Sequence, residues 1–381
     1  MKKTVRLISF LAGISITLSL LGFYVSRIPD TYNCYPGEDP AGSTFYTLEA
    51  DAQTIAGNQE GSYTAKIKLF GFLPIKNATI NQIAKKQLVV LGSPFGVKLY
   101  TKGVIVVDAE AGSAGVEAGI QVGDIILSYN NVEVRSNEEL KAQVMQSGGE
   151  KQKARILRNQ RSQTVWVTPT ATEEGYAIGL WVRDSTAGLG TLTYYDPETG
   201  IVAGLGHSIS DVDTGLTMPV DSGSLVTANI TGVKAGEKGS PGELLGYLED
   251  QILASVHKNN DAGLFGTATA QFTGVSYPIA LKDEIQLGEA QIISTVNGNT
   301  PETFTIEITK INNNLSEHRN LCIKVTDERL LKITGGIVQG MSGSPILQNG
   351  KIVGAVTHVL VNDPTSGYGV FIEKMLTEQQ N

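Results

Sequence analysis

From Pro169 to Val370 the chain offers no helical hydrophobic period of any length. It offers short apolar runs instead: IGLWV, GTLTYY, GIVAGLG, SLVTANITGV, QIISTVNG, FTIEITKI, CIKVT, PILQ and IVGAVTHVLV, separated by Gly, Asn and Pro turns. Strands this short leave their backbone donors and acceptors unpaired unless they lie beside one another, and they bury an apolar face only by closing as a group. The fold class expected is therefore mainly β, with this last unit a sandwich or a pair of barrels. The 43 glycines set against 10 Phe and 2 Trp fit many turns joining short strands. A helical period returns only at Phe371–Gln379.

At 381 residues the chain is long enough for two or more domains, each with its own core. A net charge of -8 without any dense Lys/Arg block excludes a nucleic-acid footprint and leaves proteins and peptides as the expected partners. Lys2, Lys3 and Arg6 precede the uncharged stretch Leu7–Val25, long enough to cross a bilayer as one helix. No small-x-small cleavage signal follows, so residues 1–27 are expected to be a retained transmembrane anchor, basic end in the cytoplasm and the remainder exported. Removal by a peptidase is the alternative. Residues 28–86 read as a turn-rich tether, PGEDPAGST, and a β-rich lead-in, YTAKIKLFGFL. Cys34 and Cys322 show no framework of paired cysteines; Cys34 lacks the Leu-rich context of a lipid-modified cysteine, and a small buried hydrophobe is the default role of Cys322 in LCIKV.

A second unit spans residues 87–170. It orders a strand at Val104–Asp108, a short helix around Gly112–Ala118, a Gly123–Asp124 turn, a strand at Ile125–Tyr129 and a helix opened by the capping box Ser136/Glu139. This order, with Ala118-Gly119 three residues before Gly123-Asp124-Ile125-Ile126, resembles a PDZ domain. The resemblance implies peptide binding by strand addition along Val97–Tyr100, with Phe95, Gly96, Val97 and Leu99 as the groove residues. Pro94 departs from the pattern because it has no N–H to offer a terminal carboxylate. A PDZ fold that serves only as spacer or latch is the competing reading.

The chemistry converges on Gly340-Met341-Ser342-Gly343-Ser344-Pro345. Most serines in Gly/Ser/Pro turns do nothing chemical, so a partner is required. Here the glycines permit a tight turn in which the N–H groups of Gly340 and Ser342 form an oxyanion hole beside the Ser342 hydroxyl. The Asn349-Gly350 hairpin that follows would brace the loop. Of four histidines, His257 and His318 lie in polar surroundings, and His358 on the strand GAVTHVLV reads as a buried, hydrogen-bonded imidazole. His207 ends the apolar run GIVAGLG, where a turn can present its ring to a cleft, and is the expected base. Asp211 and Asp213 start like a calcium loop, but Gly215 and Ser222 stand at later ligand positions, so no metal site is expected. No cofactor is expected either.

The stretches GLGHSISDVDTG, TGGIVQGMSGSPILQNGKIVGAVTH and VNDPTSGYGV are similar to the stage-IV sporulation protein B peptidase family, which joins a membrane anchor, a PDZ domain and a chymotrypsin-like serine peptidase domain. The resemblance implies a double β-barrel over residues 171–381, with Ser342 as nucleophile, His207 as general base and Asp327 as orienting acid. Asp211, Asp213 and Asp363 are rivals for that last role. Gly336, six residues before the serine, carries no charge and so argues against a basic preference. The family role implied is a membrane-tethered endopeptidase between two membranes that cleaves its own N-terminal segment and a membrane-embedded protease regulator, so that a mother-cell sigma factor is activated. Competing readings are a general quality-control PDZ protease and a non-enzymatic peptide-binding scaffold.

Overall fold

The computed structural model describes residues 2–38, 42–50, 61–312 and 319–380. They fall into two compact units: residues 1–86 with Leu281–Ile285, and residues 87–280 with 286–381.

The first unit carries one helix, Lys2–Arg27, and a four-stranded sheet. The sheet order is Thr31–Cys34, Leu73–Gln82, Gly61–Leu69 and Tyr46–Ala50, with Tyr32, Ile67 and Ile80 in its core. The expected tether thus supplies two strands, while residues 39–41 and 51–60 lie outside the described residues. Among the described residues no helix is long and apolar enough to cross a membrane.

In the second unit six strands form a closed ring: Pro94–Ala109, Val220–Lys234, Glu243–Asn260, Gly263–Ala268, Ile201–Gly204 and Leu180–Asp196, the last pairing back to the first. A second closed barrel follows, in the order Gly288–Ser294, Glu302–Ile311, Leu321–Val325, Asp363–Phe371, Lys351–Leu360 and Pro345–Gln348. The glycine-punctuated strands, which run to 15–18 residues in four staves of the first barrel, close as two barrels, which leaves each with no open edge. The terminal helix Ile372–Gln380 packs on the strands 351–360 and 363–371, and Gln379 bonds Tyr194 and Asp196 of the first barrel.

The PDZ fold sits inside the first barrel's chain path. Its core comprises Val104, Ile126, Tyr129, Leu140, Val144 and Ile156 among others, and reaches on to Val167 and Ile178. The helix Asn137–Gln146 starts at Ser136, whose hydroxyl accepts from Glu139 N, while Glu139 reaches back to Arg135 N at 2.7 Å. The turn at Gly123 (φ 89°) is pinned by buried Asp124, which takes two hydrogen bonds from Arg158 at 2.6 and 2.7 Å.

One sequence expectation is corrected by this path. Within the expected span 87–170 the strand Pro94–Ala109 is shared between the barrel and the PDZ fold. Its first half pairs with Leu225–Thr227 on one side and Gly188–Thr191 on the other, and only Val104 onward joins the PDZ core. Accordingly Phe95, Gly96, Val97 and Leu99 do not line a PDZ groove. Phe95, Val97 and Leu99 are buried in the first barrel with Leu225 and Leu264, and a Cβ on Gly96 would lie 2.3 Å from Leu248. With a ladder on both edges, this stretch has no free N–H row to offer a peptide. The Thr101–Gly103 break, with Gly103 at φ 89°, is where the strand passes from barrel to PDZ.

Phe95→Ala is expected to cost about 3–5 kcal/mol of stability, as for other buried aromatic truncations. Denaturant unfolding measures it, and a variant as stable as the parent, with only peptide binding altered, would return Phe95 to the PDZ groove.

Candidate active site

The serine loop hangs between the short helix Glu328–Thr334 and the strand Pro345–Gln348. Gly340 (φ 96°) and Gly343 (φ 98°) both adopt left-handed backbone, which a side chain would strain. A Cβ on Gly343 would lie 1.9 Å from the Thr191 carbonyl oxygen, so the loop meets the first barrel backbone to backbone. That contact is hydrogen-bonded throughout: Thr191 N donates to Ser342 O at 2.9 Å, Thr191 Oγ1 to Gly340 O at 2.8 Å, and Thr193 Oγ1 to Gly343 O at 2.7 Å. Among the described residues the N–H groups of Gly340 and Ser342 donate to no protein acceptor, whereas Gly343 N is used on Val356 O.

His207 arrives from the first barrel. After the strand Ile201–Gly204 the chain turns through Leu205 (φ 68°) and Gly206 (φ 66°), two successive left-handed residues that reverse it into the cleft. A buried non-glycine in this conformation is uncommon and stores strain of order 1 kcal/mol. The next loop is held from several sides. Asn259 bonds Ile209 through both its amide oxygen and nitrogen, and Arg183 spans Asp211 and Asp213. Asp211 also accepts from Thr214 N and Oγ1. Burial alone would raise its pKa, but these hydrogen bonds and the Arg183 charge hold it below the usual carboxylate range. The aspartates once compared with a calcium loop thus serve a guanidinium.

Ser342 and His207 line one cleft of about 540 Å³ between the two barrels. Its wall is largely apolar, with Leu189, Ile209, Ile337, Val338 and Val359, and it includes no Asp, Glu, Lys or Arg. The Ser342 hydroxyl donates to Thr357 O at 2.6 Å, not to His207. The His207 Nδ1 contacts Ser208 O at 2.7 Å. A carbonyl can only accept, so Nδ1 carries the proton and Nε2 keeps its lone pair. The Ser342 hydroxyl and the unprotonated Nε2 of His207 therefore lie in one cleft without a hydrogen bond between them.

The structure does not bring Asp327 to His207. Asp327 caps the helix Glu328–Thr334, accepting from Arg329 N and Leu330 N, and also binds the Arg329 side chain and Thr305 N. The Arg329 hydrogen bond, more than any other contact, keeps its carboxyl below the usual range. Asp363 is engaged with Thr365 and Ser366 at 2.7 Å each. None of the four aspartates considered is hydrogen-bonded to His207, which is oriented by a backbone carbonyl. Gly336 abuts Pro364 and is not on the cleft wall.

His358 was missed. Expected as a buried, bonded imidazole, it is exposed on the cleft wall and lies with its ring centroid 4.6 Å from that of His207, at 35°. Burial pushes His207 below its ordinary 6.5, against the opposing effect of its Ser208 bond. Local desolvation, then the neighbouring His207 and Arg319, bring His358 down to about 4. His257 is exposed, and His318 lies outside the described residues.

Residues 174–376, more than half of the chain, match the family described as SpoIVB peptidase S55, and residues 105–158 match a PDZ domain. No curated protein matches the chain. Among solved structures, the PDZ domain of the SdrC-like protein Lmo2051 from Listeria monocytogenes shares 17% identity, over 21% of this chain and 87% of that one, with a TM-score of 0.20. The Rv3671c protease from M. tuberculosis shares 13% in its active form, over 51% and 74% of the two chains, with a TM-score of 0.33. Its inactive form shares 12%, over 50% and 83%, with a TM-score of 0.30.

An NMR titration should place the His207 midpoint below 6.5 and that of His358 near 4. Only a neutral imidazole can accept a proton, so a lowered midpoint keeps His207 in that form further toward acid pH. Asp327→Ala is expected to lose about 1 kcal/mol as a helix cap while leaving the His207 midpoint in place. A fall of that midpoint in the variant would instead show Asp327 acting on His207.

Proposed function

The chain belongs to the SpoIVB peptidase S55 family, and on that footing we propose that this serine peptidase uses Ser342 as nucleophile, His207 as general base, and the Gly340 and Ser342 N–H groups as its oxyanion hole. The observation that carries the assignment is the shared cleft: Ser342 and His207, far apart in sequence, meet in one cavity beside two uncommitted backbone donors. In the reaction the Ser342 Oγ bonds to the scissile carbonyl carbon as its proton passes to His207 Nε2, and the carbonyl oxygen gains charge within reach of the two N–H groups. His207 then returns that proton to the leaving amine, and water repeats the sequence to free Ser342. The backbone carbonyl of Ser208 does the orienting that a carboxylate does in other serine peptidases. The uncharged, apolar wall suits a neutral side chain of the substrate next to the cut.

The finer role is that of a sporulation signalling protease, held to a membrane by Lys2–Arg27, working in the space between two membranes, cutting its own N-terminal segment and a membrane-embedded protease regulator. Family membership and the PDZ fold support this reading, since a peptide-binding module beside a peptidase can select when and on what it acts. The groove it would use lies between the helix Asn137–Gln146 and Leu180–Val182. A cavity of about 320 Å³ there is lined by Leu140, Val144, Met145 and Leu180, and Leu180–Arg183 has a ladder partner on one edge only among the described residues.

A fluorophosphonate probe should label the wild-type chain and fail on Ser342→Ala and His207→Ala. Equal labelling of all three removes Ser342 as nucleophile. In a spore-forming host, Ser342→Ala should also block sigma-factor activation in the mother cell; normal activation would confine the protein to some other proteolysis.

A further inference from the structure

His207 lacks what a serine peptidase base ordinarily has, a carboxylate against its far nitrogen. When it takes the Ser342 proton it becomes an imidazolium in an apolar cleft, with Asp327, Asp211 and Asp363 all committed to other groups. The His358 ring does lie against it, at 4.6 Å between centroids.

His358 gets there through an irregularity. The ladder between the strands Lys351–Leu360 and Asp363–Phe371 slips between Val356 and Val359. Such a bulge re-aims side chains locally, and bulges recur beside active sites. Here it has two effects on adjacent residues. The Thr357 carbonyl takes the Ser342 hydroxyl, and the His358 ring lies over His207. Among the described residues the His358 ring makes no hydrogen bond, so the face contact with His207 is its specific engagement.

Resting on the assignment of Ser342 and His207 above, we propose that His358 is a positioning residue for the peptidase reaction, holding the His207 ring by face contact and stabilising the imidazolium that forms when Ser342 gives up its proton. The contact presents an aromatic face to a cation, which is attractive as long as His358 itself is uncharged. Desolvation and the facing His207 and Arg319 keep it so over the ordinary working range. No other group need change its protonation, and the proton that His207 accepts is the one it later delivers to the leaving amine.

The test measures inactivation kinetics of the full chain with a fluorophosphonate, for which no knowledge of the natural substrate is required. His358→Ala should lower the maximal inactivation rate about tenfold while the probe concentration giving half that rate stays put. His358→Phe restores an aromatic face and should recover most of the lost rate. His358→Lys should be slower than His358→Ala, because a like charge then faces the imidazolium. Thermal unfolding of each variant, expected to match the parent at this exposed position, separates chemistry from folding. A full-rate His358→Ala, or a His358→Phe as slow as His358→Ala in equally stable proteins, overturns the proposal. An unlabelled wild type removes the nucleophile assignment itself, and the role of His358 with it.

Discussion

Everything at the cleft depends on the clamp between Thr191–Thr193 and Gly340–Gly343. Four groups take part: one backbone N–H and two hydroxyls of the first barrel reach the carbonyls of Ser342, Gly340 and Gly343, and Gly343 lies against the Thr191 carbonyl without room for a side chain. Thr191 and Thr193 are buried, so each hydroxyl left without its carbonyl would carry a desolvation penalty of about 1–3 kcal/mol. The same strand, Leu180–Asp196, pairs with Ile201–Gly204, which delivers His207. Ser342 on one barrel and His207 on the other are thus registered through a single strand of the first.

That strand has a second duty. Its first residues, Leu180–Val182, border the PDZ groove, and Arg183 reaches over to Asp211 and Asp213 in the loop after His207. Beside it, Asp184 accepts from Asn137 N at the start of the PDZ helix. A Cβ on Gly123 of the PDZ turn would come within 3.1 Å of Leu216, in the same His207 loop. The PDZ fold and the catalytic loop therefore share contacts as well as a strand.

Much of this was legible beforehand, and the failures have physical causes. Gly340 and Gly343 announced a turn that only glycine tolerates, and they form it. Ser136/Glu139 and Gly123-Asp124 placed the PDZ helix and turn because caps and left-handed turns are local properties. Phe95, Val97 and Leu99 misled because the PDZ resemblance names a strand ahead of Val104 for the groove, but a strand's sequence does not say which of two adjacent cores it enters. His358 misled for a related reason. Strand alternation is valid only while the register is unbroken, and the slip after Val356 is a tertiary feature with no glycine or proline to signal it. For Asp327 the local signal was present and went unused: an aspartate just before ERLLKIT is a helix cap, and that is how its carboxylate is spent.

The two crossing points between barrel and PDZ also touch each other. Tyr100 and Ser185 are ladder partners, and Thr101 Oγ1 bonds the Asp184 carbonyl at 3.1 Å. Excising residues 87–170 as a block would tear a stave out of the first barrel, whereas splicing Thr101 to Asp184 through a two-residue hairpin would excise the insert and leave the ring whole. Seen this way, the PDZ fold is an enlarged β-turn, and a minimal peptidase without it is one short loop away.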